Sequence, residues 1–488
     1  MSSLNPQRSS SFDIMYLHPV YDALINIDES GNFVPGLATQ WELSADGRTF
    51  DMTLRQGVTF QDGAEFDASA VKKTIDRAKL PESTLSRNLG LVHTVEAVDP
   101  LHVRLHLTEL GGQLPSLLAT ESGMIISPNA VDSPDLGRNP VGAGPYKVVS
   151  YSTGQVTYET WEGYWDSESV EAPRIKMITM ADDSARMRAL QSGQLDAAYL
   201  RPSQRARIES ATDLYVQSDL RTLVQSIVVN TGVVGLDDPR VRRALSLAID
   251  RQGIDTYLQN GGCTPTVQPF IDGLWPHIDG LDDQKDAAFD PDRARALLEE
   301  AGYNRDRPLS LTVASPNISQ YQLLAELVLA NLRAIGIQAD LNVMETTQTT
   351  PAMREGKFDL MVTVIDVGRP DPTSYAADYL LQGGAMNPGG FHVPGADVLL
   401  EQSRRSVDVQ DREVPFRHLL KDAFDAAPPV ISICAPDNVI GVRKGVQGLV
   451  VPPVGAYEFR GVEDSTGTDC GCRRMPISKP VSECHAQM

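Results

Sequence analysis

Apolar and polar residues alternate in two short runs near the start of the chain. Phe50, Met52 and Leu54 are separated by Asp51 and Thr53, and Leu101, Val103, Leu105 and Leu107 by His102, Arg104 and His106. A period of two buries one set and exposes the other, so both runs predict half-buried strands. His102 and His106 then fall on a solvent face rather than in a metal site. Asp46-Gly47 and Asp62-Gly63 mark turns. Asp67 is placed to cap a short helix carrying Val71 and Ile75. Residues 19–139 therefore read as one unit, rich in strands.

From residue 140 the pattern changes. Strands are predicted around 146–150 and 156–160. A helix over 184–192 follows, ended by Gly193, and 195–200 returns as a strand. In residues 226–436 the period is mostly helical. Asp238-Pro239 opens a helix carrying Val241, Ala244, Leu245, Ala248 and Ile249 on one face, with Asp238 as cap and Pro239 in the first turn. Asp290-Pro291 repeats the device, and Gly302 ends that helix. A third helix carries Leu323, Leu324, Leu327, Val328 and Ile335 and stops at Gly336. Ile337, Ala339, Leu341 and Val343 then alternate. Residues 358–365 form a nearly unbroken apolar run, as in a strand covered on both faces. Helices alternating with strands imply a layered α/β architecture. After residue 464 no periodicity is evident, and the tail reads as disordered.

Composition narrows the classes. A chain of 488 residues suggests two to four domains at roughly 150 residues each. The 41% hydrophobic and 22% charged content is that of a globular protein. No run approaches the ~18 apolar residues of a membrane span. A formal net charge of −21 repels phosphate backbones and anionic lipid, so neither nucleic acid nor a membrane surface is expected as a partner. Cys263 and Cys434 read as buried, inert thiols. Cys470, Cys472 and Cys484-His485 lack the paired spacing of a zinc site. The opening residues have no basic start with an apolar core and no lipid-accepting cysteine, which predicts a chain carrying no export signal.

Catalytic signatures are absent. There is no phosphate-binding GxxxxGKS or GxxxxGKT, no GxGxxG between a strand and a helix, no HExxH and no GxSxG. Gly142-Ala143-Gly144-Pro145 is glycine-rich, but the proline removes an amide that a phosphate cradle would use, and a tight turn is expected. No cofactor or metal is expected.

Several ordered blocks carry a resemblance. They are Tyr21-Asp22-Ala23-Leu24, Pro35-Gly36-Leu37-Ala38, Trp41-Glu42, Asp46-Gly47 and the run Leu54 to Gly63. Pro140 to Tyr146, Arg188 to Asp196, Asn230 and Asp238 to Arg251 follow. In order and spacing these resemble the family 5 extracellular solute-binding proteins, which serve importers of peptides, nickel and opines. The resemblance covers roughly residues 4 to 460. It implies a two-lobed periplasmic-binding-protein-like clamp of the cluster C type with an extra third domain. Residues 1–18, 140–225 and 437–464 would form lobe I, residues 19–139 the extra domain, and residues 226–436 lobe II. The implied function is capture of a small solute, peptide or peptide-like, by hinge closure, and delivery to the membrane permease of an ABC importer. The implied protein is a monomer, not an enzyme, and periplasmic or cell-surface. A cytoplasmic ligand sensor of the same fold is the alternative, and an enzyme a more distant one.

Two departures stand out. Leu4-Asn5-Pro6 matches a family element normally preceded by a leader and a first strand, so an unpaired sheet edge is expected in lobe I. The family's tryptophan before an acidic-Pro pair is missing, and Asp366 stands two residues early relative to Asp371-Pro372. The loop from Asp366 to Tyr375 follows the apolar run and gathers Asp366, Arg369, Asp371 and Tyr375, which makes it the expected ligand-binding element. Arg369 suits a carboxylate and Asp366 an amine. The competing reading has Asp371 capping the next helix and Arg369 pairing locally. Trp275 and Tyr146 are further binding candidates that read equally well as core.

Overall fold

The computed structural model describes residues 3–10, 13–28, 30–217, 222–285, 287–367, 371–450, 459–464 and 486–487. The chain divides into two units. One comprises Met1–Leu220 with Asn438–Met488, and the other Arg221–Asp437.

The first unit begins with a four-stranded antiparallel sheet. Its strands are β1 (Ala38–Leu43), β2 (Thr49–Leu54), β3 (Val92–Asp99) and β4 (His102–Leu107), in the order β1-β2-β4-β3. Phe50 lies opposite Leu105 and Met52 opposite Val103, so the buried sets of adjacent strands share a face. The other face is polar. Asp51 pairs with Arg104 at 2.7 Å, and His102 and His106 each pair with a nearby carboxylate, Asp99 and Glu96. Helix α1 (Ala68–Ala78) lies after β2 in the chain. Asp67 caps it by accepting from the Ala70 amide at 2.9 Å, and Val71, Ile75 and Ala78 are buried.

A second antiparallel run follows: β5 (Tyr146–Ser152), β6 (Gln155–Thr160) and β7 (Arg174–Ile178). Just before β5 the turn Gly142-Ala143-Gly144 presses against the backbone at Val20. The Gly144 amide donates to the Val20 carbonyl at 2.8 Å, and a Cβ on Gly142 would stand 2.2 Å from that oxygen. Glycine is thus required by close approach and not by a phosphate. Gly142→Ala is expected to cost about 1–3 kcal/mol, the usual range for overpacking, read as a lower urea midpoint with unchanged slope. After β7 come helix α2 (Asp183–Gln191), strand β8 (Ala197–Leu200) and strand β9 (Leu214–Gln217).

The second unit is built on β10 (Leu223–Val229), β11 (Cys263–Pro265), β12 (Ser310–Pro316), β13 (Gln338–Met344), β14 (Leu360–Asp366) and β15 (Val430–Pro436). They form one mixed sheet in the order β11-β15-β10-β14-β12-β13, with β12 parallel to both β13 and β14. Both faces are covered. Leu360 and Val362 of β14 join a core with Leu324, Val328 and Leu332 of helix α5, whereas Met361 and Ile365 join one with Phe416 and Leu419. Two cores explain the unbroken apolar run, since neither side of the strand meets water. Helix α3 is Pro239–Ala248, α4 Pro291–Glu300 and α5 Ser319–Ala334. Asp238 and Asp290 cap α3 and α4 through the amides of Arg240 and Arg293.

The arginines of the Asp238–Arg251 block tie this unit together from inside. Arg242 donates to the carbonyls of Ala427 at 2.6 Å and Leu236 at 3.0 Å. Arg251 donates to Thr266, Ser432 and Ser246 carbonyls. Burial lowers both guanidinium pKa values to about 10, so both remain charged at neutral pH.

Two expectations are corrected. Cys263 and Cys434 are buried but are not thiols: they form a disulfide joining β11 to β15. The tail is not structureless throughout either. After β16 (Val439–Arg443), which pairs with both β8 and β9, a strand β17 (Ala486–Gln487) pairs in parallel with Ile175 and Lys176 of β7. Cys470, Cys472, Cys484 and His485 lie outside the described residues. Among the described residues no helix is long and apolar enough to cross a membrane, and no group of ligands is arranged for a metal ion.

Candidate functional site

The segment after β14 holds most of the residues singled out above. Strand β14 delivers Asp366 at its carboxyl end, opposite Leu223 of β10. The Asp366 side chain is half-buried and accepts from the Thr222 hydroxyl at 2.5 Å, while the next amide, Val367, donates to the Thr222 carbonyl at 2.8 Å. The ladder thus extends one residue past the strand and fixes where Asp366 sits. Arg369 lies outside the described residues.

Asp371 belongs to the core, as the capping reading of the sequence required. Its carboxylate caps helix α6 (Pro372–Tyr375) by accepting from the Thr373 amide at 2.9 Å and the Thr373 hydroxyl at 2.6 Å. It also pairs with Arg412 at 2.7 Å, and both side chains are 0% exposed. Arg412 lies on helix α8 (Val409–Asp425), which follows α7 (Ala396–Ser403). Its Nε donates to the Ser403 carbonyl, and its guanidinium stands 5.2 Å from the Trp275 ring centre. Its Nη1 is buried without a hydrogen-bond partner.

The aromatic candidates pack around this pair or elsewhere. Tyr375 is buried, edge-on to Phe270 at 5.7 Å and stacked on Tyr379 at 5.4 Å. Burial pushes its phenol pKa well up. Trp275 is half-buried against Phe416 at 5.3 Å, and its carbonyl accepts from Arg417. Tyr146 lies in the other unit, fully buried, with its hydroxyl donating to the Ala172 carbonyl at 3.0 Å. Of the six candidates, the structure gathers Asp371, Tyr375 and Trp275 around Arg412 and Phe270. It leaves Asp366 partly open at a strand end. Arg412 itself went unnoticed in the sequence. It sits in Asp-Val-Gln-Asp-Arg-Glu, which looks like a solvated helix start, and its partner is distant in the chain.

The arrangement suits binding better than bond-making. The fully buried Arg412 and Asp371 hold each other, and the carboxylate that meets solvent, Asp366, stands at the end of a strand.

Comparison with known proteins agrees with this geometry. Residues 32–387 match the family described as bacterial extracellular solute-binding proteins, family 5. The glutathione-binding protein GsiB of Pectobacterium atrosepticum is 28% identical over 465 residues, covering 90% of this chain and 87% of that protein. The protein of the same name from Salmonella paratyphi A is 33% identical over 343 residues, 69% of this chain and 66% of that one. In three dimensions HbpA2 from Haemophilus parasuis superposes with a TM-score of 0.83 at 23% identity, over 95% of this chain and 97% of that chain. The chain belongs to the bacterial extracellular solute-binding proteins, family 5, the substrate-binding components of ABC importers.

Proposed function

We propose that the solute is a short peptide, with glutathione the first compound to test, and that it leaves the protein chemically unchanged. The observation that carries this reading is the match to a glutathione-binding relative along nearly the whole chain. Glutathione carries one amine and two carboxylates, so charged partners are needed to bury it. Asp366 has the sign for the amine. Arg369, in the same segment, has the sign for a carboxylate and a fork that meets it in two places.

Calorimetric titration with glutathione, a dipeptide and free amino acids tests the class. Binding of glutathione with a Kd below about 1 mM is expected. Heats no larger than dilution for every peptide would remove the peptide reading, and recovery of cleaved or oxidised peptide would remove the claim of unchanged release. Asp366→Ala and Arg369→Ala are each expected to weaken binding at least about tenfold, or about 1.4 kcal/mol. If both variants bind within about twofold of the parent, the Asp366–Tyr375 segment does not set specificity.

An extracytoplasmic location is part of the same proposal. The disulfide between Cys263 and Cys434 supports it, because such bonds persist in oxidising compartments. Cell fractionation combined with thiol alkylation is the test. Protein found in the cytosol with Cys263 alkylated would favour the sensor reading instead.

A further inference from the structure

The first unit contains a groove that the solute-binding reading does not use. It has a volume of about 380 Å³ and is lined by Met15, Met177, Ile178, Met180, Ile440 and Phe459 among others. Its two long walls are strand edges. Met177 to Met180 line one wall without a gap, and Ala197 to Tyr199 line the other. Consecutive residues of a strand point to opposite faces. A wall made of consecutive residues is therefore the edge of the strand and not a face. Strand β8 pairs with β16 on one side and with no strand on the other, among the described residues. On its groove side β7 is paired only at Ile175 and Lys176. Arg186 closes one end, donating to the carbonyls of Met180 and Tyr199 and so bridging the two edges.

Two open edges facing one apolar slot make a site for an added strand. Main-chain donors and acceptors on both walls would be satisfied, and the apolar lining would be covered. We propose that the occupant is the C-terminal segment of this same chain, residues 483–488. Three observations point to it. Ala486–Gln487 already pairs with β7, in parallel, at the residues immediately before the groove. Continued by one residue in that register, the strand sets Met488 against Met177, the first residue of the groove wall. The segment also alternates, with Cys484, Ala486 and Met488 separated by His485 and Gln487, the pattern of a strand with one apolar side. A slide of two residues along β7 keeps the same side chains on the same face and carries the segment further into the slot. The added strand would join β17-β7-β6-β5 to β8-β16-β9 as one sheet.

Hydrogen exchange followed by mass spectrometry tests this on the full chain, on a chain ending at Asp464, and on full-length Ala486→Pro/Gln487→Pro. Proline removes the ladder amides without shortening the chain. Amides of residues 177–180 and 197–199 are expected to exchange at least about tenfold faster in both variants. A synthetic peptide of residues 481–488 is expected to restore protection to the truncated chain. Equal exchange in all three proteins overturns the proposal. So does protection that rises with protein concentration alongside a dimer, which would place a second copy in the groove. Protection that appears only when residues encoded upstream of Met1 are added would overturn it as well.

Discussion

Replacing Cys263 and Cys434 together by alanine is expected to lower the stability of the second unit by about 4–5 kcal/mol. The two residues are 171 positions apart. A cross-link closing so long a loop removes most of the denatured chain's freedom, and the entropy involved grows with the logarithm of loop length. The bridge also joins the edge strand β11 to β15 inside the sheet. Without it, β11 depends on three residue pairs with one neighbour. In a unit of this size each kcal/mol moves the melting temperature by roughly 2–4 °C, so a fall of about 10–20 °C is expected. Scanning calorimetry of the intact chain, with and without reductant, is the measurement. Reductant should shift the parent's second-unit transition and leave the double-alanine variant unmoved. A shift below about 2 °C in both comparisons would show that packing around the sulfurs, and not the bond, holds β11 in place.

That bond also shows where sequence reasoning stopped. Elements defined by local rules were legible. The alternation at Phe50, Met52 and Leu54 placed β2, the Asp-Pro pairs at 238 and 290 placed two helix starts, and Gly302 and Gly336 marked stops that the structure realises with positive φ. Each depends on residues within a few positions of one another. Partners far apart in the chain left no such signal. Cys263 and Cys434 looked like two unrelated apolar residues. Arg412 looked solvated because Asp408, Asp411 and Glu413 surround it in sequence, although α8 turns it inward to Asp371. Tyr146 and Tyr375 were weighed as pocket or core, and only burial decides such a choice. The tail's last residues alternate over so short a run that their pairing with β7 became visible only in the fold.

The Asp371–Arg412 pair should behave as a unit under mutation. Arg412→Met leaves a carboxylate at 0% exposure with only Thr373 to answer it. Asp371→Asn keeps an oxygen to cap α6 but leaves a buried cation beside Trp275, with Nη1 already lacking a partner. Removing either half of a buried pair typically costs about 3–5 kcal/mol, because the survivor keeps its desolvation penalty and loses its attraction. The double variant Asp371→Asn/Arg412→Met removes both charges. Methionine fills much of the arginine's volume and retains contact with Trp275 and Phe416. Its stability is therefore expected to lie above that of either single variant, with a coupling of at least about 2 kcal/mol in urea denaturation. Costs that add within about 0.5 kcal/mol would mean that the two groups act separately, Asp371 as a helix cap and Arg412 as a tie to Ser403. The same cycle bears on binding. Asp371 fixes the start of α6, five residues after Asp366, so a single variant that frees the helix start should also weaken peptide affinity. The double variant should recover affinity along with stability. If stability returns and affinity does not, the Asp371 charge acts on the ligand directly, and its role extends beyond holding the segment in place.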